Sequence, residues 1–325
     1  MKTSHCIIHF LLIYLLAFSA TAKKDLTPNH KEHRELIEQS EEIIFLGDSI
    51  TYGGNYVRNF ETWLTLNYPT HTSPVINLGL ASETVSGISE KGHAGGRFPR
   101  PDLHERLDRV LAKTNPDLIF ACYGMNCGIQ KPFDEERFQK YKDGIMKLKS
   151  KAEKSGAKII FITPPIYDGG VNPKKAYYTD VLQNYAAWLV SQRKKGWNVI
   201  DLNTHMTKAL AKKRKNNPKF TYQKDAVHPN ADGHWVMTQP ILSWLGDQKS
   251  ADCTNVHEMV KQLDGTPELH KLVVVRSNIL RNAWLTETGH KRPGVPKGMP
   301  IDQANKKAIE ITKAINEISM SKQAE

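Results

Sequence analysis

The 325-residue chain reads as an α/β protein, a three-layer α/β/α sandwich around a five-stranded parallel sheet with a C-terminal helical extension. Three observations carry that reading. Five short runs between residues 43 and 202 are almost continuously apolar, as strands covered on both faces require. Segments of helical periodicity separate them, so strand and helix alternate four times. The composition, 39% hydrophobic and 24% charged, is that of an ordinary globular chain and excludes disordered, collagen-like and polytopic membrane proteins.

Residues 1–22 stand apart from the fold. Lys2 precedes an apolar stretch from Ile7 to Phe18, and Ala20-Thr21-Ala22 places small residues where a signal peptidase reads. The apolar stretch is short for a membrane span, so a cleaved export signal is expected, with a periplasmic or extracellular product. Residues 23–39 form a lead-in. The strands fall at 43–46, 75–78, 118–122, 158–162 and 198–202. Helices are expected over 56–66, 102–113, 134–155 and 176–194, with Gly156 and Gly196 at their C-terminal caps. Two more follow at 204–215 and 230–245, which completes a domain of residues 40–247. In the extension, 248–325, residues 253–288 read as one or two helices. A Pro/Gly-punctuated stretch spans 289–300, and a polar helix covers 301–322.

The formal net charge is +11, from 45 Lys+Arg and 34 Asp+Glu. Export argues against nucleic acid as the partner, and stable membrane insertion is not expected once the signal is removed. The Lys212-Lys213-Arg214-Lys215 run reads as a solvated helix end. Cys122, Cys127 and Cys253 follow the signal; no C-x-x-C pair occurs, so neither zinc nor a disulfide framework is indicated. Whether any of the three pair is left open. No metal-ligand spacing is seen among the 13 histidines, and no cofactor is called for.

The chemistry gathers where strands end, on the face where open α/β sheets place their sites. The first strand runs into Gly47-Asp48-Ser49, a turn that presents a serine. Serine needs a base to act as a nucleophile. Asp225-Ala226-Val227-His228 supplies one: an Asp three residues before a His can hold its Nδ1 while Nε2 takes the serine proton. Gly79 follows the second strand and Asn126 the third. Their N–H and side-chain amide, with the Ser49 N–H, are expected to form an oxyanion hole. Taken singly, each residue also fits a structural role, Ser49 as a helix cap, Gly79 as a turn glycine, Asn126 as an Asx turn, and Asp225 and His228 as a polar loop pair. The order of the blocks on this fold favours the catalytic set.

These blocks, Gly47-Asp48-Ser49, Gly79, Gly124-Met125-Asn126 and Asp225-Ala226-Val227-His228, resemble the SGNH/GDSL hydrolases over residues 40–247. The resemblance implies their flavodoxin-like fold and a serine esterase with Ser49 as nucleophile, His228 as base and Asp225 as its orienting acid. It also implies that Ser49, Gly79 and Asn126 hold the oxyanion. Cys127 stands where the family usually has Asp, which puts in question how Asn126 is oriented. The stretches 79–97 and 284–293 resemble an exported bacterial subgroup of the family. Asp48, His93 and Arg97 are candidate substrate contacts. The expected activity is hydrolysis of short acyl esters, such as O-acetyl groups on carbohydrate. A lysophospholipase or thioesterase of the same chemistry, and a non-catalytic glycan-binding module, are the alternatives. His30 and His33 are expected to be solvated, and Trp188, Trp235 and Trp244 to be core. Residues 289–296 are expected either to rim the catalytic face, with Lys291 and Arg292 facing an anion, or to brace the back of the sheet.

Overall fold

The computed structural model describes residues 29–71 and 73–321. The expected export signal lies outside the described residues. Helix α1 (His30–Glu38) leads into strand β1 (Ile43–Gly47), the one-turn helix α2 (Ser49–Gly53), α3 (Asn55–Asn67) and the short strand β2 (Ile76–Asn77). Then follow α4 (Leu103–Thr114), β3 (Leu118–Cys122), α5 (Glu135–Lys154), β4 (Lys158–Ile162), α6 (Tyr177–Ser191) and β5 (Asn198–Ile200). Helices α7 (Leu202–Asn216), α8 (Ala231–Trp244), α9 (Gln248–Ala251), α10 (Val256–Gln262), α11 (Pro267–Thr288) and α12 (Ile301–Ser321) complete the described chain.

The five strands form one parallel sheet in the order β2-β1-β3-β4-β5. Strands β1, β3 and most of β4 are buried on both faces, as their unbroken apolar runs require. Phe45 of β1 stacks on Phe120 of β3 at 4.6 Å, and Phe60 of α3 tilts against both. Helix α3 packs on α8 and α4 on α5, which covers the sheet in two layers. The chain leaves β1 towards β2 on one side and returns to β3 on the other. The gap beyond the carboxyl ends of β1 and β3 is therefore the topological switch point, where ligands of such sheets bind.

The structure departs from the sequence expectations in four places. Gly54, at φ +69°, breaks the first helical segment into α2 and α3. Leu202 opens α7 rather than ending β5, because the Asp201 side chain caps that helix on Thr204 N. The lead-in contains α1, and His33 is buried rather than solvated. It stacks on Trp244 at 3.6 Å and hydrogen-bonds its carbonyl at 2.7 Å, and burial lowers its pKa. The extension joins the sheet's own packing, which its helical pattern did not reveal. Its helix α11 packs on α12, α3, α4 and β2, so it covers the edge strand of the sheet.

Candidate active site

The nucleophile turn is built by close packing. A Cβ at Gly47 would lie 2.0 Å from Thr51 Oγ1 and 2.8 Å from the Cys122 carbonyl, so only glycine lets β1 pass into α2. Asp48 takes the cap position, and its carboxylate accepts the Ile50 N–H at 3.0 Å. Ser49 is the first residue of α2, half-buried, and its N–H has no acceptor among the described residues. The expectation that Asp48 touches substrate is corrected here. Its side chain is 3% exposed and turned inward as a helix cap. Burial pushes its pKa up to about 6, against the pull of the Ile50 N–H and of the His228 and Arg100 charges.

Ser49 Oγ lies 2.9 Å from His228 Nε2, and His228 Nδ1 lies 2.6 Å from Asp225 Oδ2. The second Asp225 oxygen accepts the N–H groups of Val227 at 2.9 Å and His228 at 2.7 Å. Ala226, at φ +70°, makes that tight loop. Partial burial pushes the Asp225 pKa up, and hydrogen bonds from the His228 side chain, its N–H and the Val227 N–H more than offset this, leaving it below the usual value. The loop is held from beneath. Gln223 donates to the Ile166 and Val227 carbonyls, and Asp168 accepts Arg214 Nη2 on both oxygens at 2.8 Å and accepts from Thr221. Arg214 is therefore an anchor of the Asp-His loop, not part of a solvated helix end. The side chains of His228 and Asp225 are 50% and 57% exposed, so the three groups sit on an open face.

The expected role of Gly79 is corrected. Its N–H donates to Asn77 Oδ1 at 2.9 Å and is not free for an oxyanion. The glycine is required because a Cβ there would lie 2.4 Å from Tyr52 N, against the backbone of α2. The N–H groups of Ala81 and Ser82 in this loop both lack an acceptor among the described residues, and Ser82 is the one next to Glu83. Ser82 is held at φ +68°. The next residue, Glu83, places its carbonyl 3.2 Å from Asn126 Nδ2, which brings this loop beside the Asn126 amide.

Asn126 is positioned by residues the sequence reading did not single out. Arg100 Nη1 donates to Asn126 Oδ1 at 2.7 Å, which fixes Nδ2 as the donating end, with one of its protons on the Glu83 carbonyl and the other unspent. Arg100 is held by Glu90 through two hydrogen bonds of 2.7 and 2.8 Å, and His93 Nδ1 lies 3.1 Å from the same carboxylate. Tyr178 Oη fixes the Met125 carbonyl at 2.9 Å. Arg100 thus orients Asn126 in a chain that carries Cys127 in place of Asp; burial raises the Cys127 thiol to about 11. His93 acts at second hand, through Glu90, and its side chain is only 11% exposed. Arg97 is exposed, with Nε spent on the Ala94 carbonyl of its own turn. The His93 ring is thus turned to Glu90, whereas Arg97 keeps an exposed guanidinium beside the same loop. No sequence pattern marks Arg100, since Asn126, the residue it orients, lies in a separate loop 26 residues on.

The remaining expectations resolve around this centre. His234 is buried, and its pKa falls to about 3, first by burial and then by the Arg58 and His228 charges. Trp235 is core; Trp188 and Trp244 pack against the core from half-buried positions. Cys122, Cys127 and Cys253 are all buried free thiols. Residues 288–292 dock on α4 and on Phe98 of the segment that precedes it. Arg109 donates to the Thr288 carbonyl, Lys291 pairs with Glu105 at 3.7 Å, and the Arg292 guanidinium lies 4.9 Å over Phe98. No group of metal-ligating side chains occurs among the described residues.

Comparison with known proteins accords with this geometry. The model of the GDSL-like lipase/acylhydrolase family matches residues 45–236, which include Ser49, Asn126, Asp225 and His228. Among solved structures, a gut microbial diltiazem-metabolizing enzyme, BT4096, is 22% identical with a TM-score of 0.52; the match covers 63% of this chain and 46% of that one. An acetylxylan esterase from Geobacillus stearothermophilus, Axe2, is 19% identical with a TM-score of 0.49, covering 63% and 94%. LAE5, an α/β hydrolase from the metagenome of Lake Arreo, Spain, is 19% identical with a TM-score of 0.46, covering 64% and 95%. At these identities the likeness is one of fold. Among curated proteins no match was found. With more than half its length under the family model, and a Ser-His-Asp set at the switch point of a five-stranded parallel sheet, the chain belongs to the GDSL-like lipase/acylhydrolase family and is an SGNH-type serine ester hydrolase.

Proposed function

We propose that the protein is an exported esterase that removes short acyl groups, O-acetyl above all, from a bulky carbohydrate alcohol. Ser49 Oγ attacks the ester carbonyl while His228 Nε2 takes its proton, and Asp225 holds the imidazolium by its Nδ1–H. The Ser49 N–H, the Ser82 N–H and Asn126 Nδ2 receive the oxyanion. The tetrahedral centre collapses as His228 returns the proton to the leaving alcohol. Water, activated by the same histidine, then releases the acid from the acyl-serine.

The observation that carries the reading is the unbroken pair of hydrogen bonds, Ser49 to His228 at 2.9 Å and His228 to Asp225 at 2.6 Å, on an open face. Openness favours a large alcohol group, because nothing need enclose it. A long acyl chain needs an apolar channel beside the nucleophile. The 460 Å³ cavity bounded by Glu42, Ile76, Leu280, Trp284 and Ile309 lies by the starts of β1 and β2, at the opposite end of the sheet from Ser49. The expected leader, residues 1–22, supports export, and among the described residues no helix is long and apolar enough to cross a membrane.

The test is acetate release from a panel of acetylated glycans, with p-nitrophenyl esters of increasing chain length alongside and Ser49→Ala as control. Acetyl esters should be the best substrates, and the control should lose at least a thousandfold in kcat. Preference for acyl chains of eight carbons or more would overturn the substrate reading.

A further inference from the structure

Helix α2 has five residues, so its carbonyls lie almost entirely beyond the reach of its own ladder. Each of the four after Ser49 has one dedicated donor. The Ile50 carbonyl takes the Gly54 N–H at 3.0 Å, and the Thr51 carbonyl takes Asn77 Nδ2 at 2.6 Å. The Tyr52 carbonyl takes Arg281 Nη1 at 2.9 Å, and the Gly53 carbonyl takes Arg58 Nη2 at 2.7 Å. Arg281 comes from α11 in the C-terminal extension, 229 residues along the chain. Its guanidinium also lies 4.5 Å over the Tyr52 ring. A second residue of the same helix, Asn278, accepts Arg58 Nη1 at 3.0 Å and so holds the other arginine in place.

Two guanidinium groups brought together and partly buried repel each other. The Arg58 pKa drops to about 10, first through burial and then through the Arg281 charge. A pair of cations in such a place is unfavourable unless acceptors hold it, and beside the side chains of Asn55, Asn278 and Asn282 those acceptors include the end carbonyls of the turn that carries Ser49.

We propose that the C-terminal extension is part of the catalytic apparatus, with Arg281 as a positioning residue that fixes the nucleophile turn by clamping the Tyr52 carbonyl and ring. The proposal rests on Ser49 acting as the nucleophile. Ser49 Oγ and the Ser49 N–H move with α2, so a loose turn spoils the attack geometry and the oxyanion hole together. A misplacement of about 1 Å costs on the order of a hundredfold in rate.

The full-length chain should be compared with Arg281→Ala and Arg281→Lys in three measurements: kcat and KM on p-nitrophenyl acetate, the rate of fluorophosphonate labelling, and amide hydrogen exchange of the peptide spanning residues 48–56. Arg281→Ala should lower kcat and the labelling rate tenfold or more with KM within threefold. Exchange should quicken in that peptide and stay unchanged in β3 and β4. Arg281→Lys should recover part of both losses. Retention of the wild-type labelling rate, or unaltered exchange at residues 48–56, would overturn the proposal. If Arg281→Ala fails to fold, Asn278→Ala, which removes the extension's hold on Arg58 Nη1, should show the same pattern at smaller amplitude; wild-type exchange and labelling there would count equally against it. An inert wild-type enzyme would refute the esterase reading, and the exchange comparison would still decide whether Arg281 holds the turn.

Discussion

Replacement of Arg100 by methionine removes the group that orients Asn126 and, with it, the two hydrogen bonds that Arg100 makes to Glu90. Methionine keeps the apolar stem and removes the guanidinium that donates to Asn126 Oδ1 at 2.7 Å. The only remaining hydrogen bond of that side chain is the longer one from Nδ2 to the Glu83 carbonyl, at 3.2 Å. The lost bond is charge-assisted and worth about 1.5–3 kcal/mol. Losing an oxyanion donor outright costs about 2.7–4 kcal/mol, or roughly 10²–10³ in kcat. Arg100→Met should therefore fall short of Asn126→Ala, with a loss of about 10–100-fold in kcat. The assay is a double-mutant cycle on p-nitrophenyl acetate. If Arg100 acts through Asn126, Arg100→Met in an Asn126→Ala background should cost little more. Full additivity of the two losses, or an Arg100→Met enzyme with wild-type kcat, would refute the reasoning.

Three further outcomes are expected. The Asp48 carboxyl keeps its proton to higher pH in the folded chain, with a pKa of about 6, than in the unfolded chain. Its contribution is thus present in acid and lost as pH rises through that value; wild type should lose about 2 kcal/mol relative to Asp48→Asn between about pH 4 and pH 7 in urea titrations, and a constant difference would contradict this. Arg106→Met strips the buried Glu83 carboxylate of its two guanidinium hydrogen bonds, at 2.7 and 2.8 Å, leaving only Tyr123 Oη. It should cost about 3–5 kcal/mol, largely recovered by adding Glu83→Gln, and calorimetry on the single and double variants checks it. Ser82→Gly keeps the backbone N–H and removes the left-handed strain, so kcat/KM should stay within twofold and the melting temperature should hold or rise. Gly79→Ala should instead lose activity by more than tenfold, because its Cβ would press on Tyr52 N. Wild-type activity in Gly79→Ala would show that the close approach of Gly79 to α2 is not required.

How much of this was legible in the sequence follows from the range of each interaction. Asp225 and His228 bond within three residues of one another, so their spacing displays the geometry directly. The strand runs are likewise local. Asn126 was recognisable as a donor, but its support by Arg100 was not, because the two residues are 26 apart and meet only through loop packing. Gly79 shows the opposite failure. A glycine needed so that backbones can touch and a glycine needed so that an anion can approach look the same in sequence. The hydrogen bond to Asn77 distinguishes them.

The sequence by itself determined the alternation of strands and helices, the parallel sheet and the identity of the serine, histidine and aspartate at its carboxyl edge. Hydrophobic period and residue chemistry act over a few residues and survive without a partner. Only the tertiary structure decided which N–H groups are free to receive an oxyanion, which arginine aims Asn126, and that α11 returns to the Ser49 turn. Those are questions of which donor meets which acceptor. Only the folded chain closes a span of 229 residues to the 2.9 Å that joins Arg281 to the Tyr52 carbonyl.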